Sequence, residues 1–482
     1  MRMSRILSFG NINPKDLREN PIQAITEWFS SLDKFAKTTL VITVLLIVST
    51  PFVINNLFNV RQYAVAPDKL EAEGGVLSAA GVQRLADSQA SGGQYILFGT
   101  PTPTPTPTLA PSPTSGASPT PIPSSGGVVG YGAPTVGGTG GTVTNVSTYA
   151  EFRSCLLSTG TRVCKVTGSG IIDGGGAAVN INNPNITIDG TGSTAMFKDV
   201  WLQVRTSQVI IRNIRMRTGD LNVTGADADA ISINGGEGGI SNIVVDHVEA
   251  IWAPDVAGVT ILNNVTDVTV QHSIIGVGLT KSSHPESLDT DGHNLAFNIS
   301  GLSTTAWPKR VTVYRNLIID AEARNPQLQG VEAVDLINNV IYNYHEPPHG
   351  NPRSANIVNN YYKWGPASQI AGLGDPRSYL YYDRVSSYFP TLFTDSVYLS
   401  GNVAANFTST PPNAPANVLR SNPATPFSVT PESTTGLLDR ILAEVGPDIR
   451  DDVTNQWITE TQNGTGQYYN GDGYPAPNPH WP

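Results

Sequence analysis

Val209-Ile-Ile-Arg-Asn-Ile-Arg-Met decides how the rest of the chain is read. An apolar alternation runs into a polar residue and then into a second apolar run. The same line returns as Ile243-Val-Val-Asp-His-Val-Glu-Ala, Val268-Thr-Val-Gln-His-Ser-Ile-Ile and Val311-Thr-Val-Tyr-Arg-Asn-Leu-Ile. It returns again as Val334-Asp-Leu-Ile-Asn-Asn-Val-Ile and Asn356-Ile-Val-Asn-Asn-Tyr-Tyr, and Asn185-Ile-Thr-Ile-Asp-Gly fits the same frame earlier in the chain. Asn213, His247, His272, Arg315, Asn338 and Asn359 hold equivalent places. The closest lines are one solenoid rung apart, within the period range of stacked repeats, and the wider gaps imply loops inserted in a rung. Alternating Val and Ile make half-buried strands whose every second side chain points inward. Stacked rung on rung, they predict an all-β fold, a right-handed single-stranded parallel β-helix. Asn at a repeated turn tolerates left-handed backbone, and its amide can bond to the Asn above and below. A β-sandwich uses similar strands but lacks a repeating Asn frame.

The 482 residues include 47 Gly and 36 Pro, so much of the chain is turn or linker. Net charge is −10 and only 14% of residues are charged, which argues against a nucleic-acid partner. An acidic chain can bind an acidic polymer only through local Lys and Arg or a bridging cation. The two cysteines, Cys155 and Cys164, are close in sequence. An extracellular domain would pair them; two free thiols are the alternative. No CxxC motif or His/Cys cluster points to zinc.

Residues 1–37 read as a cytoplasmic segment carrying Arg2, Arg5, Lys15, Arg18, Lys34 and Lys37. Residues 38–58 are almost uninterrupted apolar sequence, with no charge until Arg61. About 20 such residues span a bilayer. Positive charge before the span keeps the N-terminus in the cytoplasm and exports the rest. The expected location is therefore the cell membrane, single-pass, with an extracellular C-terminal domain. A secreted form, cleaved after Ala64-Val-Ala66, is the alternative, although Pro67 follows directly. Residues 59–99 contain Leu70-Glu-Ala-Glu-Gly-Gly and Ala90-Ser-Gly-Gly-Gln-Tyr-Ile-Leu-Phe, and resemble a truncated carbohydrate-binding module. Residues 100–127 are a Thr/Pro-rich spacer. Residues 128–482 form the expected β-helix domain. Its Gly137-Gly-Thr-Gly-Gly precedes no βαβ unit, so it is not read as a nucleotide loop. Glu151-Phe-Arg-Ser-Cys-Leu-Leu has the makings of a short capping helix. Leu437-Leu-Asp-Arg-Ile-Leu-Ala-Glu-Val has helical spacing and stops at Gly446-Pro447.

Three acids follow the Val209 strand: Asp220, Asp227 and Asp229. Asp227 and Asp229 are two apart, so on a strand they share a face. Two carboxylates on one face repel unless a cation lies between them, and calcium prefers such oxygens. A solvated acidic turn has the same pattern. Asp255, one rung later, could add a ligand. Arg324 lies in Glu322-Ala-Arg324-Asn-Pro326-Gln-Leu-Gln329, where Pro326 can hold the backbone rigid. A lone Arg is more often a surface residue.

From Gly130 to Gly466 the chain resembles the pectate lyases of the large parallel β-helix family. The resemblance rests on Val209-Ile-Ile-Arg-Asn-Ile-Arg-Met-Arg, Asp227-Ala-Asp-Ala-Ile-Ser-Ile, Val244-Val-Asp-His247 and Ser273-Ile-Ile-Gly-Val-Gly-Leu. It continues through Ala323-Arg-Asn-Pro326, Asn338-Asn-Val-Ile-Tyr-Asn, Asn359-Asn-Tyr-Tyr, Ile441-Leu-Ala-Glu-Val-Gly and Gln462-Asn-Gly-Thr-Gly. No single piece is decisive; their order is. The resemblance implies cleavage of polygalacturonate by β-elimination, with Ca2+ bridging the substrate carboxylate and protein aspartates. It implies Arg324 as catalytic base and Asp229 as a calcium ligand, with Asp227 beside it and Asp255 as a further ligand. Arg215, Arg217, Lys281 and His284 are the candidate substrate contacts. The implied partner is an acidic polysaccharide, polygalacturonate or pectin, bound by a monomer.

The chain departs from the family pattern in three places. Val256 stands where the family has a second acidic ligand. The loop His284-Pro-Glu-Ser-Leu-Asp-Thr-Asp291-Gly has no Lys, and Gln329 replaces a second Arg. Fewer cations and fewer ligands suit a weakened or retuned site. Two other functions compete. Asp289-Thr-Asp291-Gly resembles part of the signature of β-helical polygalacturonases, whose adjacent Asp-Asp, Gly-His-Gly and Arg-Ile-Lys are missing here. A surface-anchored β-helix that only binds polysaccharide, through Arg215, Arg217 and Arg324, is the non-enzymatic alternative.

Overall fold

The structure is a computed structural model. It describes residues 127–223, 228–288, 293–301, 305–368, 375–383 and 396–471, with two short strands before them. The chain divides into two units, 1–115 and 116–482. In the first, Val82–Ala86 and Gln94–Phe98 pair antiparallel. The expected cytoplasmic segment, the apolar span 38–58 and the spacer up to residue 126 lie outside the described residues. No described helix is long and apolar enough to cross a membrane.

Among the described residues of the second unit the strands pair in parallel in two sheets, one of 15 strands and one of 11. Each turn of the chain contributes one strand to the smaller sheet and two to the larger. One such rung is Ile240–Asp246, Glu249–Ile251 and Val256–Leu262; the next is Val265–Gln271, Ile274–Gly276 and Leu295–Ser300. The repeating lines fall in exact register: Val209, Ile243, Val268, Val311, Val334, Ala355 and Val397 form one column of paired residues. Sequence alternation and strand stacking therefore give a parallel β-helix. The inward column Leu202, Ile231, Val259, Phe297 is fully buried. Each such side chain contributes about 1.5–3 kcal/mol relative to leaving it in water.

The polar residue of each line sits at a sharp corner. Asn213, His247, His272, Arg315, Asn338 and Asn359 all have left-handed backbone, with φ between 47° and 55°. The side-chain ladder expected at these positions is carried instead by the residue that follows. Asn316 donates to Asn339, Asn339 to Asn360 and Asn360 to Asn402, each at 3.0 Å. The Asn316, Asn339 and Asn360 amides are buried and also bond backbone groups, so each ties its rung to the next. The task is split because a left-handed residue turns its side chain outward, whereas the next residue points into the stack. That outward direction is why His and Arg are tolerated in the first column.

At the N-terminal end, helix α1 (Tyr149–Leu157) covers the open rung. Thr148 and Glu151 form a reciprocal cap at its start, and Phe152 and Leu156 are fully buried beneath it. Cys155 and Cys164 are disulfide-bonded, joining α1 to the strand Arg162–Val166. A loop this short contributes about 2–3 kcal/mol by restricting the unfolded chain. Near the C-terminus, α2 (Leu437–Glu444) and α3 (Asp452–Asn463) pack Leu437, Ile441, Leu442 and Trp457 on the apolar outer residues Ile251, Ile274, Leu317 and Val340. The helical spacing from Leu437 marks α2; α3 is too polar to stand out in sequence.

Candidate active site

One edge of the larger sheet gathers the candidate residues. Five consecutive parallel strands form it: β1 (Ile231–Asn234), β2 (Val256–Leu262), β3 (Leu295–Ser300), β4 (Gln327–Gln329) and β5 (His349–Asn351). Neighbouring strands lie about 4.8 Å apart. Asp229 precedes β1, Asp255 precedes β2, His293 precedes β3 and Arg324 precedes β4, so the stacking places them side by side along one edge. Loops inserted within rungs do not disturb this, because register is set strand by strand. Residues 95 apart in sequence thus act on one another.

Asp229 is only 4% exposed, and the Val256 N–H donates to its Oδ1 at 3.2 Å. Its carboxyl is pushed well above the usual range, first by burial and then by the negative charge of Asp255. The Thr260 hydroxyl, the Val256 N–H and the Arg324 guanidinium oppose that rise. Asp255 in turn contacts His293, Oδ1 to Nε2 at 2.9 Å. The Asp255 carboxylate is near enough to oppose ionisation of Asp229. Hard oxygen donors, two carboxylates and a hydroxyl, fit calcium. Asp227 and Asp291 lie outside the described residues.

Arg324 is half-buried and has left-handed backbone, φ 60°, ahead of a cis Asn325–Pro326 bond. Left-handed backbone is uncommon for a residue other than glycine and persists only where the surroundings hold it. Here they do. The Arg324 carbonyl accepts from Phe297 at 2.8 Å. The fully buried Asn325 amide donates to the carbonyls of Ala321 at 3.1 Å and Glu346 at 3.0 Å.

The floor beside these groups is uncharged. Outward-facing residues of β1–β5 pair in the row Ser232, Thr260, Asn298, Gln327, His349. Ser232, Thr260, Asn298 and His349 are buried and Gln327 is half-buried, so the row is polar and mostly covered. Gln329 is buried and donates to Asn351 in the neighbouring row.

Two of the expected substrate contacts are corrected. Arg215 and Arg217 are fully buried. Arg217 pairs with Glu249 at 2.5 Å and, through both terminal nitrogens, with Asp451 at 2.8 and 2.7 Å. Arg215 lies 3.5 Å from the same Asp451 and donates to the carbonyls of Ser193 and Ile449. Both belong to the strand Arg215–Arg217, whose outer face α3 covers, so they stabilise the fold and do not meet substrate. Their partner, Asp451, comes from a segment more than 230 residues away.

Lys281 is exposed, and its carbonyl accepts from Gly471 at 2.5 Å. His284 is buried, its Nδ1 accepting from the Glu286 N–H at 3.1 Å. His284 stacks on His293, with centroids 3.8 Å apart and planes 5° from parallel. His293 also faces Glu286 at 3.3 Å. Sequence reasoning missed His293. The signal available was its place, directly before a rung strand, where Asp255 also stands.

No family model matches the chain. Among curated proteins it is similar to the probable pectate lyase C of Aspergillus terreus, 27% identical over 353 residues, covering 70% of this chain and 76% of that one. It is similar to the probable pectate lyase C of Aspergillus flavus, 30% identical over 258 residues, covering 51% of this chain and 55% of the relative. For the probable pectate lyase C of Emericella nidulans the figures are 32%, 226 residues, 45% and 47%. The chain therefore spans about half the length of the last two. A solved pectate lyase from Bacillus sp. N165, in complex with trigalacturonate, aligns with TM-score 0.47 at 18% identity, over 67% of this chain and 99% of that one.

Proposed function

We propose that this chain, a pectate lyase-like protein, cleaves polygalacturonate by β-elimination and leaves 4,5-unsaturated products. The observation that supports it most is the single edge bearing Asp229, Asp255 and Arg324, where a buried and a half-buried carboxylate stand near an arginine whose backbone turn is held from both sides. In the reaction the C5–H bond breaks, its electrons form the C4–C5 double bond, and the C4–O bond breaks as the oxygen takes a proton. Arg324 receives the C5 proton in the role that the family resemblance gives it, since by solution pKa an arginine is a poor base. Asp229, Asp255 and the Thr260 hydroxyl are the groups that would hold calcium. A bound calcium ion supplies charge stabilisation for the enolate-like uronate.

Polygalacturonate assayed with and without calcium tests this. Ultraviolet absorbance from a new double bond is expected, and Asp229→Asn should abolish the calcium-dependent part. Because the Asp229 carboxyl is raised, its charged form weakens the fold at neutral pH. The same Asp229→Asn variant should therefore melt at a higher temperature than wild type when calcium is absent. New reducing ends without absorbance would identify a hydrolase.

The Asp255–His293 contact favours a second reading. A carboxylate shared with an imidazole is a poorer calcium ligand, and Val256 supplies no other. A catalytically weak, polysaccharide-binding β-helix would give neither absorbance nor reducing ends, but would retain polymer.

We also infer, from residues 38–58 and the spacer 100–127, that the domain is held at the outer face of the cell membrane as a monomer. Proteolysis within the spacer should release it from membrane fractions; full-length chain found mainly in the soluble fraction would contradict the anchor.

A further inference from the structure

We propose that Asp246, His247 and His272 bind a divalent transition-metal ion, zinc foremost, at a corner of the solenoid distinct from the candidate active site. Ile240–Asp246 and Val265–Gln271 are neighbouring strands with Asp246 paired to Gln271. The next residue of each, His247 and His272, is left-handed, with φ 53° and 47°. Identical corners one rung apart set the rings above one another, with centroids 4.7 Å apart.

Both rings aim the same atom at one point. His247 Nδ1 is 2.7 Å from Asp246 Oδ1, and His272 Nδ1 is 3.3 Å from it. One ligand atom from each of the three residues lies within 4.8 Å of the other two. Two imidazole nitrogens and a carboxylate oxygen are a familiar zinc set, with ligand distances of about 2.0–2.2 Å and an open position for water. The nitrogens select zinc, nickel, cobalt or copper over calcium. The ion would replace the protons now shared between the rings and Asp246.

Surrounding groups suit this role. Gln271 donates to Asp246 Oδ1 at 3.0 Å and is itself anchored by the Val129 N–H at 3.1 Å. His272 Nε2 faces the Glu444 carboxylate of α2 at 3.9 Å. If Nδ1 carries the proton to Asp246 in a neutral ring, the Nε2 lone pair points at that carboxylate. With Nδ1 on an ion, Nε2 carries the proton, giving the carboxylate–histidine–metal order that orients ligating imidazoles. His247 Nε2 is buried without a partner among the described residues, so that ring can adjust without breaking another bond. Asp246 is 17% exposed and gives the ion its way in.

The other His–acid group, Asp255 with His284 and His293, brings its ligand atoms equally close, but it belongs to the candidate active site, and its His293 is held between Asp255 at 2.9 Å and Glu286 at 3.3 Å with its ring flat on His284.

The test uses the purified full chain, stripped with chelator and titrated with zinc chloride by calorimetry. Cobalt absorption serves as a second readout of nitrogen ligation. One zinc per chain is expected. His247→Gln and His272→Gln should each weaken it by at least about tenfold, and His293→Gln should leave it unchanged. Zinc should raise the melting temperature of wild type but not of His247→Gln, whose fold circular dichroism verifies; this separates lost ligation from lost structure. No zinc uptake, uptake indifferent to both His247→Gln and His272→Gln, or uptake lost in His293→Gln would each overturn the proposal.

Discussion

Arg324→Ala should lower the rate of absorbance gain on polygalacturonate by about 10²–10⁴-fold, the range by which a positioned proton acceptor accelerates a reaction. With calcium present, polymer binding should change little, because a cation held by Asp229 and Asp255 still bridges chain and polymer. Arg324→Lys keeps the charge but loses the planar guanidinium, and should also lose most turnover. The prediction depends on fixed geometry: Asn325 pins the turn from both sides and Phe297 holds the Arg324 carbonyl. Arg324 also lowers the Asp229 carboxyl pKa, so the alanine variant should need more calcium to show any residual activity. Wild-type absorbance gain by Arg324→Ala would remove the central residue of the proposed chemistry.

Arg217→Ala should destabilise the domain by about 3–5 kcal/mol, the cost of breaking a buried ion pair from one side. It strands Glu249, which is fully buried, and frees Asp451, which caps α3 by accepting from Thr454 at 2.9 Å. Replacing both partners, Arg217→Met with Glu249→Met, should recover much of that loss, since no charge is then left behind. Arg217 holds the Asp451 carboxyl down to about 2. A depressed acid contributes stability that is complete above its unfolded value, near pH 4, and is lost as pH falls through about 2. Thermal melts of wild type and Arg217→Ala from neutral to acid pH should converge across that window. A melting temperature for Arg217→Ala equal to wild type would show that α3 is held by packing alone.

The backbone scaffold was legible because its rule is local. Alternation from Val209 to Tyr362 and a polar corner in each line suffice to stack rungs, and the register column from Val209 to Val397 follows. The family resemblance rested on the same order of segments. Side-chain placement was legible only where position along a rung determines it. Asp229, Asp255 and Arg324 each precede a strand of one arm, and so come to one edge. Arg215 and Arg217 misled because an alternating strand shows which residues share a face, not what later covers it. Their cover, α3, has a weakly apolar sequence and docks through Trp457 and the Arg217 ion pair. His293 went unnoticed because a lone histidine in a loop has no signature until Asp255 stands beside it.

The asparagine ladder has an implication for how this protein could be lengthened, shortened or retuned. Asn316, Asn339, Asn360 and Asn402 interlock, so the stack admits whole repeats only, and a part-repeat would break a buried amide pair on both sides. Spacing along the working edge is quantised too, because its strands pair in parallel register one step at a time. Inserting or deleting one repeat between Asp255 and Arg324 would move them by a full step of about 4.8 Å, with no intermediate setting. Fine adjustment is left to what hangs from the lattice, such as the Pro285–Leu288 turn and the length of the arginine side chain. The frame behaves as a ruler marked in single units, and specificity must evolve between its marks.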